Sequence, residues 1–228
     1  MRRWAWLWLG LLSGLALFLV GCGGSGSSSS TTAQLRILLA SPDAPKVNVL
    51  VDGKSVAANL AYGNATAYIS VQSGSRHVQV VPVSGGSPIF DQTISFAASA
   101  NQTLLLTGPA ASIHPVTLTD GGTTSVAGDG HVRVVNASAT MGAADVYIIP
   151  AGNSIVGVQP VKAGLAFDAD TGYEVTAGGN YEVFMTAPNT TQAFLSTGPI
   201  SLTAAQNQTV VALDGNSGGF MFALLTDQ

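Results

Sequence analysis

Three features of the sequence predict an all-β protein made of two tandem antiparallel β-sandwiches. Apolar and polar residues alternate over short runs, as in Lys46-Val47-Asn48-Val49-Leu50-Val51 and Arg76-His77-Val78-Gln79-Val80-Val81. A period of two marks half-buried strands. Turn signals separate the runs, among them Ser41-Pro42-Asp43-Ala44-Pro45, Asp52-Gly53, Ser84-Gly85-Gly86 and Ala177-Gly178-Gly179-Asn180. The chain beyond residue 34 also repeats itself once, and no stretch after residue 22 carries a helical period.

The N-terminus reads as a processing signal. Arg2 and Arg3 precede an apolar run from Trp4 to Val20, which ends in Leu19-Val20-Gly21-Cys22. Cys22 is the only cysteine of the 228 residues. The run is marginal for a bilayer span, and small residues precede the cysteine as a signal peptidase requires. The pattern resembles the bacterial lipobox. That resemblance implies cleavage after residue 21, lipidation at Cys22 and a membrane held through that anchor, since two or three acyl chains anchor far more firmly than one. Gly23 stands where an Asp would favour inner-membrane retention, so the outer membrane is the expected location. Gly23-Gly24-Ser25-Gly26-Ser27-Ser28-Ser29-Ser30-Thr31-Thr32 has no apolar side chain to bury. It reads as a flexible tether with an average span of about 15–20 Å.

The repeat pairs Leu35-Arg36-Ile37 with Val132-Arg133-Val134 at an offset of 97 residues. The offset reaches 105 at Leu60-Ala61-Tyr62 with Leu165-Ala166-Phe167, and at Tyr68 with Tyr173. It is 106 at Asn101-Gln102-Thr103 with Asn207-Gln208-Thr209, and 107 at Leu118-Thr119-Asp120 with Leu225-Thr226-Asp227. It never shrinks, and its largest step marks a loop insertion near residues 150–160. The domains expected are thus the signal at 1–21, lipidated Cys22 with its tether at 22–33, a first sandwich at 34–120 and a second at 131–228. A Gly-rich linker at 121–130, with some freedom, joins them. About seven short strands in some 90 residues suggest the immunoglobulin-like form of sandwich.

The run Leu35 to Pro45, with Val47-Asn48-Val49-Leu50-Val51-Asp52-Gly53 and Leu60-Ala61-Tyr62-Gly63, resembles the bacterial domain-of-unknown-function family numbered 4397. The resemblance implies a secreted or lipid-anchored envelope protein, often with tandem copies, and implies no activity. The second unit departs from the pattern: Ala139-Thr140-Met141-Gly142-Ala143 replaces Pro42 to Lys46, and Phe167-Asp168 replaces Tyr62-Gly63.

Composition excludes several classes. Charged residues are 9% of the chain, with 8 Lys+Arg against 12 Asp+Glu. With the signal removed the balance is 6 basic to 12 acidic residues, and all three Trp (Trp4, Trp6, Trp8) leave with it. That balance argues against nucleic acid, and one cysteine excludes a disulfide scaffold or a Cys-based zinc site. No phosphate-binding or dinucleotide motif is present, so no cofactor is expected.

Candidate sites are few. Gly215-Asn216-Ser217-Gly218-Gly219 fits the G-x-S-x-G pattern of serine hydrolases. That chemistry needs a strand-to-helix turn and a His partner, whereas Phe220-Met221-Phe222-Ala223-Leu224 reads as a strand and His77, His114 and His131 show no triad context. Asp168, Asp170 and Glu174 form half a calcium loop, three side chains where calcium takes six to eight oxygens. A solvated acidic loop is the preferred reading there. Asp43, between two prolines, is a candidate ligand contact whose commoner role is to hold its turn. Arg36 and Arg133 recur at equivalent places, which suggests pairing with a carboxylate across the sheet. Tyr68 and Tyr173 also recur and read as core or corner residues. The five sequons at Asn64, Asn101, Asn136, Asn189 and Asn207 read as incidental. The expectation is a non-enzymatic envelope protein with a structural or binding role and a protein or glycan partner. A small-ligand, glycan or calcium-binding module is the alternative, and an envelope hydrolase a remote one.

Overall fold

In the computed structural model the described residues are 31–122 and 127–228. The signal segment, Cys22 and most of the tether lie outside them, as do residues 123–126 of the expected linker. The first unit contains β1 (Thr32–Ala40), β2 (Val47–Val51), β3 (Lys54–Leu60), β4 (Ile69–Gln72), β5 (Gly74–Pro82), β6 (Phe90–Phe96), β7 (Asn101–Thr107) and β8 (His114–Asp120). The second contains β9 (Asp129–Asn136), β10 (Ala144–Pro150), β11 (Lys162–Leu165), β12 (Asp170–Ala177), β13 (Gly179–Thr186), β14 (Ala193–Ser196), β15 (Ile200–Leu202), β16 (Asn207–Asp214) and β17 (Phe220–Asp227). No helix occurs among the described residues.

Each unit is a two-sheet sandwich. In the first, the sheet β4-β1-β7-β8 faces the sheet β3-β2-β5-β6; in the second, β12-β9-β16-β17 faces β11-β10-β13-β14, with β15 added on β13. The sandwiches expected from the sequence are present. They differ from the expectation in one respect, because each contains a parallel ladder. β1 runs parallel to β7, from Gln34 opposite Asn101 to Ala40 opposite Thr107, and β9 runs parallel to β16. A period-two pattern reports which face is buried and says nothing about a neighbour's direction. The parallel pair arises because the chain leaves β1 for the opposite sheet and returns several strands later in its starting direction.

The burial of β1, β7, β9 and β16 explains their near-continuous apolar character. Strands covered on both faces lose the alternation of a half-exposed sheet. Leu35, Ile37 and Leu39 enter the core of the first sandwich with Val49, Val80 and Phe96. Val132 and Val134 do the same in the second, with Val146, Val183 and Met185. The other faces of β1 and β9 meet each other. Leu38, Ala40, Leu105 and Leu118 of the first unit form one buried cluster with Val135, Ala137, Val211, Leu213 and Leu225 of the second. The two sandwiches are therefore stacked through their β1 and β9 sheets, four layers deep.

The last residues of the span expected to be linker are ordered with the second unit. β9 begins at Asp129, inside the span expected to be linker, and Gly128 is already tied in by an N–H donated from Gly178 at 2.8 Å. Gly130 has no room for a side chain, since a Cβ there would lie 2.6 Å from Leu202. The shared cluster makes the two units one thermodynamic body. We expect a single urea transition rather than two. Leu105→Ala, a fully buried leucine facing the second unit, lowers the unfolding free energy by about 2–5 kcal/mol without splitting it. Two separated transitions in the wild-type chain would contradict this account.

Candidate functional site

The side-chain alternation that sends Leu35 and Ile37 into the first core sends Arg36 to the seam between the units. Arg133 is sent there from β9 in the same way. The side chains of both arginines are no more than 5% exposed, and those of Asp120 and Asp227 are fully buried. Arg36 donates from Nε to Thr103 Oγ1 of its own unit (2.9 Å) and from Nη1 to the Thr226 carbonyl of the other (2.8 Å). Its Nη2 pairs with Asp227 Oδ1. Arg133 repeats the arrangement, donating to Thr209 Oγ1 at 3.0 Å, to the Thr119 carbonyl at 2.9 Å and to Asp120 Oδ1. Each carboxylate is completed from its own unit. Asp120 accepts from Thr103 and from Tyr68 (2.8 Å), and Asp227 from Thr209 and from Tyr173 (2.7 Å). The Arg36 guanidinium also lies 4.7 Å above the Tyr68 ring, and Arg133 lies 4.5 Å above Tyr173.

Every member of this cluster occupies a repeated position, so the seam has approximate two-fold symmetry. The two positive and two negative charges sum to zero, and each guanidinium N–H engaged has a geometrically fixed acceptor. Burial, followed by the hydrogen bond to Asp120, pushes the Tyr68 hydroxyl well above its ordinary range, and burial with the bond to Asp227 does the same for Tyr173. Tyr62, half-buried and beside Asp214, is pushed up to about 12 by burial and by that carboxylate. The expectation that the arginines pair with carboxylates thus holds, with the principal partner across the seam rather than across the sheet. Asp120, Asp227, Thr103 and Thr209 were not singled out from the sequence. Their signal was present in the polar residues of the repeated Asn-Gln-Thr and Leu-Thr-Asp segments.

Further contacts close the upper end of the seam, where β1 and β9 terminate. Tyr62 donates to the Asp214 carbonyl at 2.7 Å. His114 Nδ1 lies 3.1 Å from Asp168 Oδ2, with its ring 6.0 Å from that of Phe167. Asp168 is therefore a cross-unit partner. Asp170 accepts the Gly172 N–H at 2.7 Å, and Glu174 stands opposite Val132 in the ladder. The three carboxylates of the calcium candidate do not converge. Among the described residues, no group of three or more His, Cys, Asp or Glu is placed to hold a metal. Asp43 accepts the Ala110 N–H at 2.7 Å and so ties its turn to the segment after β7. The second unit makes the same junction from the opposite strand, where Asp214 accepts from Ser138, Ala139 and Thr140. Ser217 lies in the β16–β17 hairpin turn, closed by Gly215 N–H donating to Gly219 O at 2.8 Å, and β17 follows it. His77 pairs with Asp91 on an exposed strand face, and buried His131 packs edge-on against Tyr173. Asn136, one of the sequon asparagines, is fully buried and donates to the Gly142 and Leu165 carbonyls.

Beside the cluster a groove of about 670 Å³ opens between the two units. Arg36, Asn59, Asn64 and Thr66 line it on one side, with Leu224 and Thr226 of β17 on the other. β17 is the edge strand of its sheet. At the symmetry-related place the seam is spanned by the His114–Asp168 pair, where this side has Met221 and Gly63 in close contact.

A family described as a domain of unknown function (DUF4397) matches residues 33–147, half of the chain. The match covers the first unit and runs on into β10, while the second unit is a similar β region by structure. No curated protein matches the chain. Among solved structures, the chain is similar to the multi-modular glycogen-degrading pneumococcal virulence factor SpuA, at 9% identity and a TM-score of 0.26. That likeness covers 86% of this chain and 22% of the other, so the chain spans less than a quarter of that protein. It is also similar to a candidate cell adhesion protein from Bacteroides fragilis, at 10% identity and a TM-score of 0.22, covering 86% of this chain and 98% of the other.

Two outcomes follow from the cluster. Arg36→Ala or Asp227→Ala leaves an uncompensated buried charge and costs about 3–5 kcal/mol in denaturant unfolding. The pair Arg36→Met with Asp227→Leu costs less than the sum of the single changes, because neutrality is restored. The tyrosines set an alkaline limit. Unfolded tyrosine ionises near pH 10, while Tyr62, Tyr68 and Tyr173 keep their protons higher when folded. Their contribution is complete below pH 10 and is lost as the pH rises above it. Phenolate absorbance from these three residues should therefore appear together with the loss of β-sheet circular dichroism. Its appearance in the folded chain near pH 10 would contradict the assignment.

Proposed function

This chain belongs to the domain-of-unknown-function family DUF4397, and we propose that it is a lipid-anchored protein of the bacterial cell envelope with a non-enzymatic structural or binding role. The observation that carries the reading is Cys22. It is the chain's sole cysteine, it closes an apolar run, and a Gly/Ser tract of about ten residues follows it before the first strand. A body on such a tether is presented from a membrane, and the proposed location is the outer membrane.

The chemistry of the seam supports a non-enzymatic role. Its buried arginines and aspartates are engaged with one another across the two units, and His114 and Asp168 are spent on a second cross-unit contact. Such groups hold a shape. The surface that remains is rich in Ser, Thr, Asn, Gln and Gly, which suits hydrogen-bonded contact with a protein or glycan more than electrostatic steering.

One observation favours a second reading, a glycan or small-ligand module. The groove beside Arg36 is lined by amides, a hydroxyl and the edge of β17. Ligand sites form preferentially in clefts between domains, where a few placed polar groups fix the ligand's orientation.

The anchor is tested by intact mass and fractionation of the chain expressed in a Gram-negative host. The expected mature species starts at Cys22, carries acyl groups and sediments with membranes, and Cys22→Ala abolishes both acylation and processing. A mature chain without acyl groups would overturn the anchor. The second reading is tested by melting temperature against envelope glycans. Ligand at a hundred times its dissociation constant adds about 2.7 kcal/mol, a shift of several degrees, and Asn64→Ala removes it if the groove is the site.

A further inference from the structure

Six large apolar residues are exposed among those described: Val83, Val156, Val158, Val161, Val175 and Leu224. All but Val83 belong to the second unit. Val156, Val158 and Val161, at 71%, 40% and 39% exposure, lie in the segment 151–161 between β10 and β11. Val175, at 63%, is two residues from the end of β12 and stands opposite His131, near the start of β9.

The segment is built to hold that shape. Ile155 is buried beneath it against Tyr147, Ile149 and Phe184, on the outer face of the β10 sheet. Val158 donates its N–H to the Ile155 carbonyl at 3.0 Å, and Val161 donates to Val146 at 2.8 Å. The valines are therefore presented outward from an ordered loop. In the first unit the equivalent connection is the two-residue turn Asp52-Gly53, both residues at positive φ as a tight hairpin requires. It carries an Asp52–Arg76 ion pair at 3.2 Å and no exposed apolar side chain. Ser70 stands at the position aligned with Val175. A repeat that is polar in one copy and apolar in the other points to a role held by the second copy alone.

Strand registers place the start of this loop at the end of the molecule where the tether enters, and its last residue, Val161, beside Val146, four residues back along β10. Thr32 opens β1, and Gln34 stands opposite Asn101, which stands opposite Asp120 at the end of β8. In the second unit Gly128 bonds Gly178, β13 starts at Gly179, and Tyr181 stands opposite Pro150 at the end of β10. The contacts at the far end, Tyr62 with Asp214 and His114 with Asp168, show that the two units point the same way. From the β1 sheet to the outer sheet of the second unit is about two sheet spacings, roughly 20 Å. A ten-residue tether reaches up to about 33–36 Å when extended.

We propose that the loop 151–161 is a lipid-facing surface, resting on the bilayer that holds the chain. The proposal rests on the lipid-anchor reading. Exposed apolar side chains on an ordered loop lose contact with water at the interface. Exposed Lys162, next after Val161, is suited to anionic headgroups. The anchor supplies the proximity, so the loop need only orient the body, and three valines suffice for a contact too weak to bind from solution.

The test uses the full chain carrying Val158→Cys labelled with the polarity-sensitive fluorophore NBD, in vesicles of phosphatidylethanolamine and phosphatidylglycerol. A thioether-lipidated Cys22 does not take the label. The expected result is several-fold brighter, blue-shifted emission at position 158. Label at Val83→Cys, at the other end of the first unit, should stay water-like, and Val156→Ser with Val161→Ser should reduce the signal at 158. Water-like emission at 158 in a chain shown by mass to be acylated overturns the loop proposal and leaves the anchor standing. An unacylated chain overturns the anchor reading. The loop is then judged on residues 23–228 held by an N-terminal hexahistidine on nickel-chelating lipid, where brightening supports a lipid-facing loop and its absence overturns it. Brightening in native envelopes but not in protein-free vesicles assigns the loop to a protein partner and likewise overturns the lipid proposal.

Discussion

The two cross-paired arginines are the constraint on which the molecule depends. A buried guanidinium costs several kcal/mol in lost solvation unless a carboxylate and further acceptors meet it. Neither unit meets that need alone, because Arg36 makes its close pair with Asp227 and Arg133 makes its close pair with Asp120. The same-unit pairs, Arg36 with Asp120 and Arg133 with Asp227, are longer, at 3.6 and 3.7 Å. Each sandwich thus completes the charge balance of the other. The leucines and valines around the cluster keep water away from it, so apolar burial and charge pairing favour the same stacked arrangement.

Approximate symmetry makes the departures from it informative. A duplicated unit that needed only to fold would keep the same residues at both copies of each contact. Instead the Gly63–Met221 contact on one side of the seam becomes the Asp168–His114 pair on the other. The turn held by Asp43 in the first unit is held by Asp214 in the second, with the carboxylate moved to the opposite strand. These exchanges preserve a structural contact by different chemistry. The loop 151–161 is of another kind, because it adds exposed apolar surface where the first copy has a polar two-residue turn.

Much of this was legible in the sequence, and the limits have physical causes. The period-two runs and the internal repeat reveal the strands, the sandwiches and the two units, because each depends on local patterning. The recurrence of Arg36 and Arg133 suggested a structural pairing with a carboxylate. It could not announce which carboxylate, since Asp120 and Asp227 are both at equivalent places and sequence carries no distance between them. The parallel ladders escaped for a related reason, as alternation fixes a face and leaves direction open. Asp168, Asp170 and Glu174 looked alike as a spaced acidic run. A kink at Asp168, which adopts a positive φ of 63°, sends its carboxylate to His114 instead of toward Asp170. The stacking of the units was hidden in plain composition: the unbroken apolar runs of β1 and β16 are what strands covered on both faces require.

The small number of charges gives the arrangement its outward character. Only 9% of the residues are charged, and four of these are withdrawn into the seam, so charge contributes little to the protein's surface. Its long-range field is weak, and what it contacts must be met at short range through hydroxyls, amides and backbone edges. A freely diffusing protein gains little from such a surface, because encounter is unaided and each contact is weak. A tethered one is in a different position. Confinement by an anchor raises the effective concentration of anything on the same surface into the range where weak contacts are occupied. On the proposed reading, the polar surface, the single lipid-bearing cysteine and the valine loop that starts on the tether's side therefore belong to one design: the anchor provides encounter, and the stacked sandwiches provide a fixed shape to be encountered.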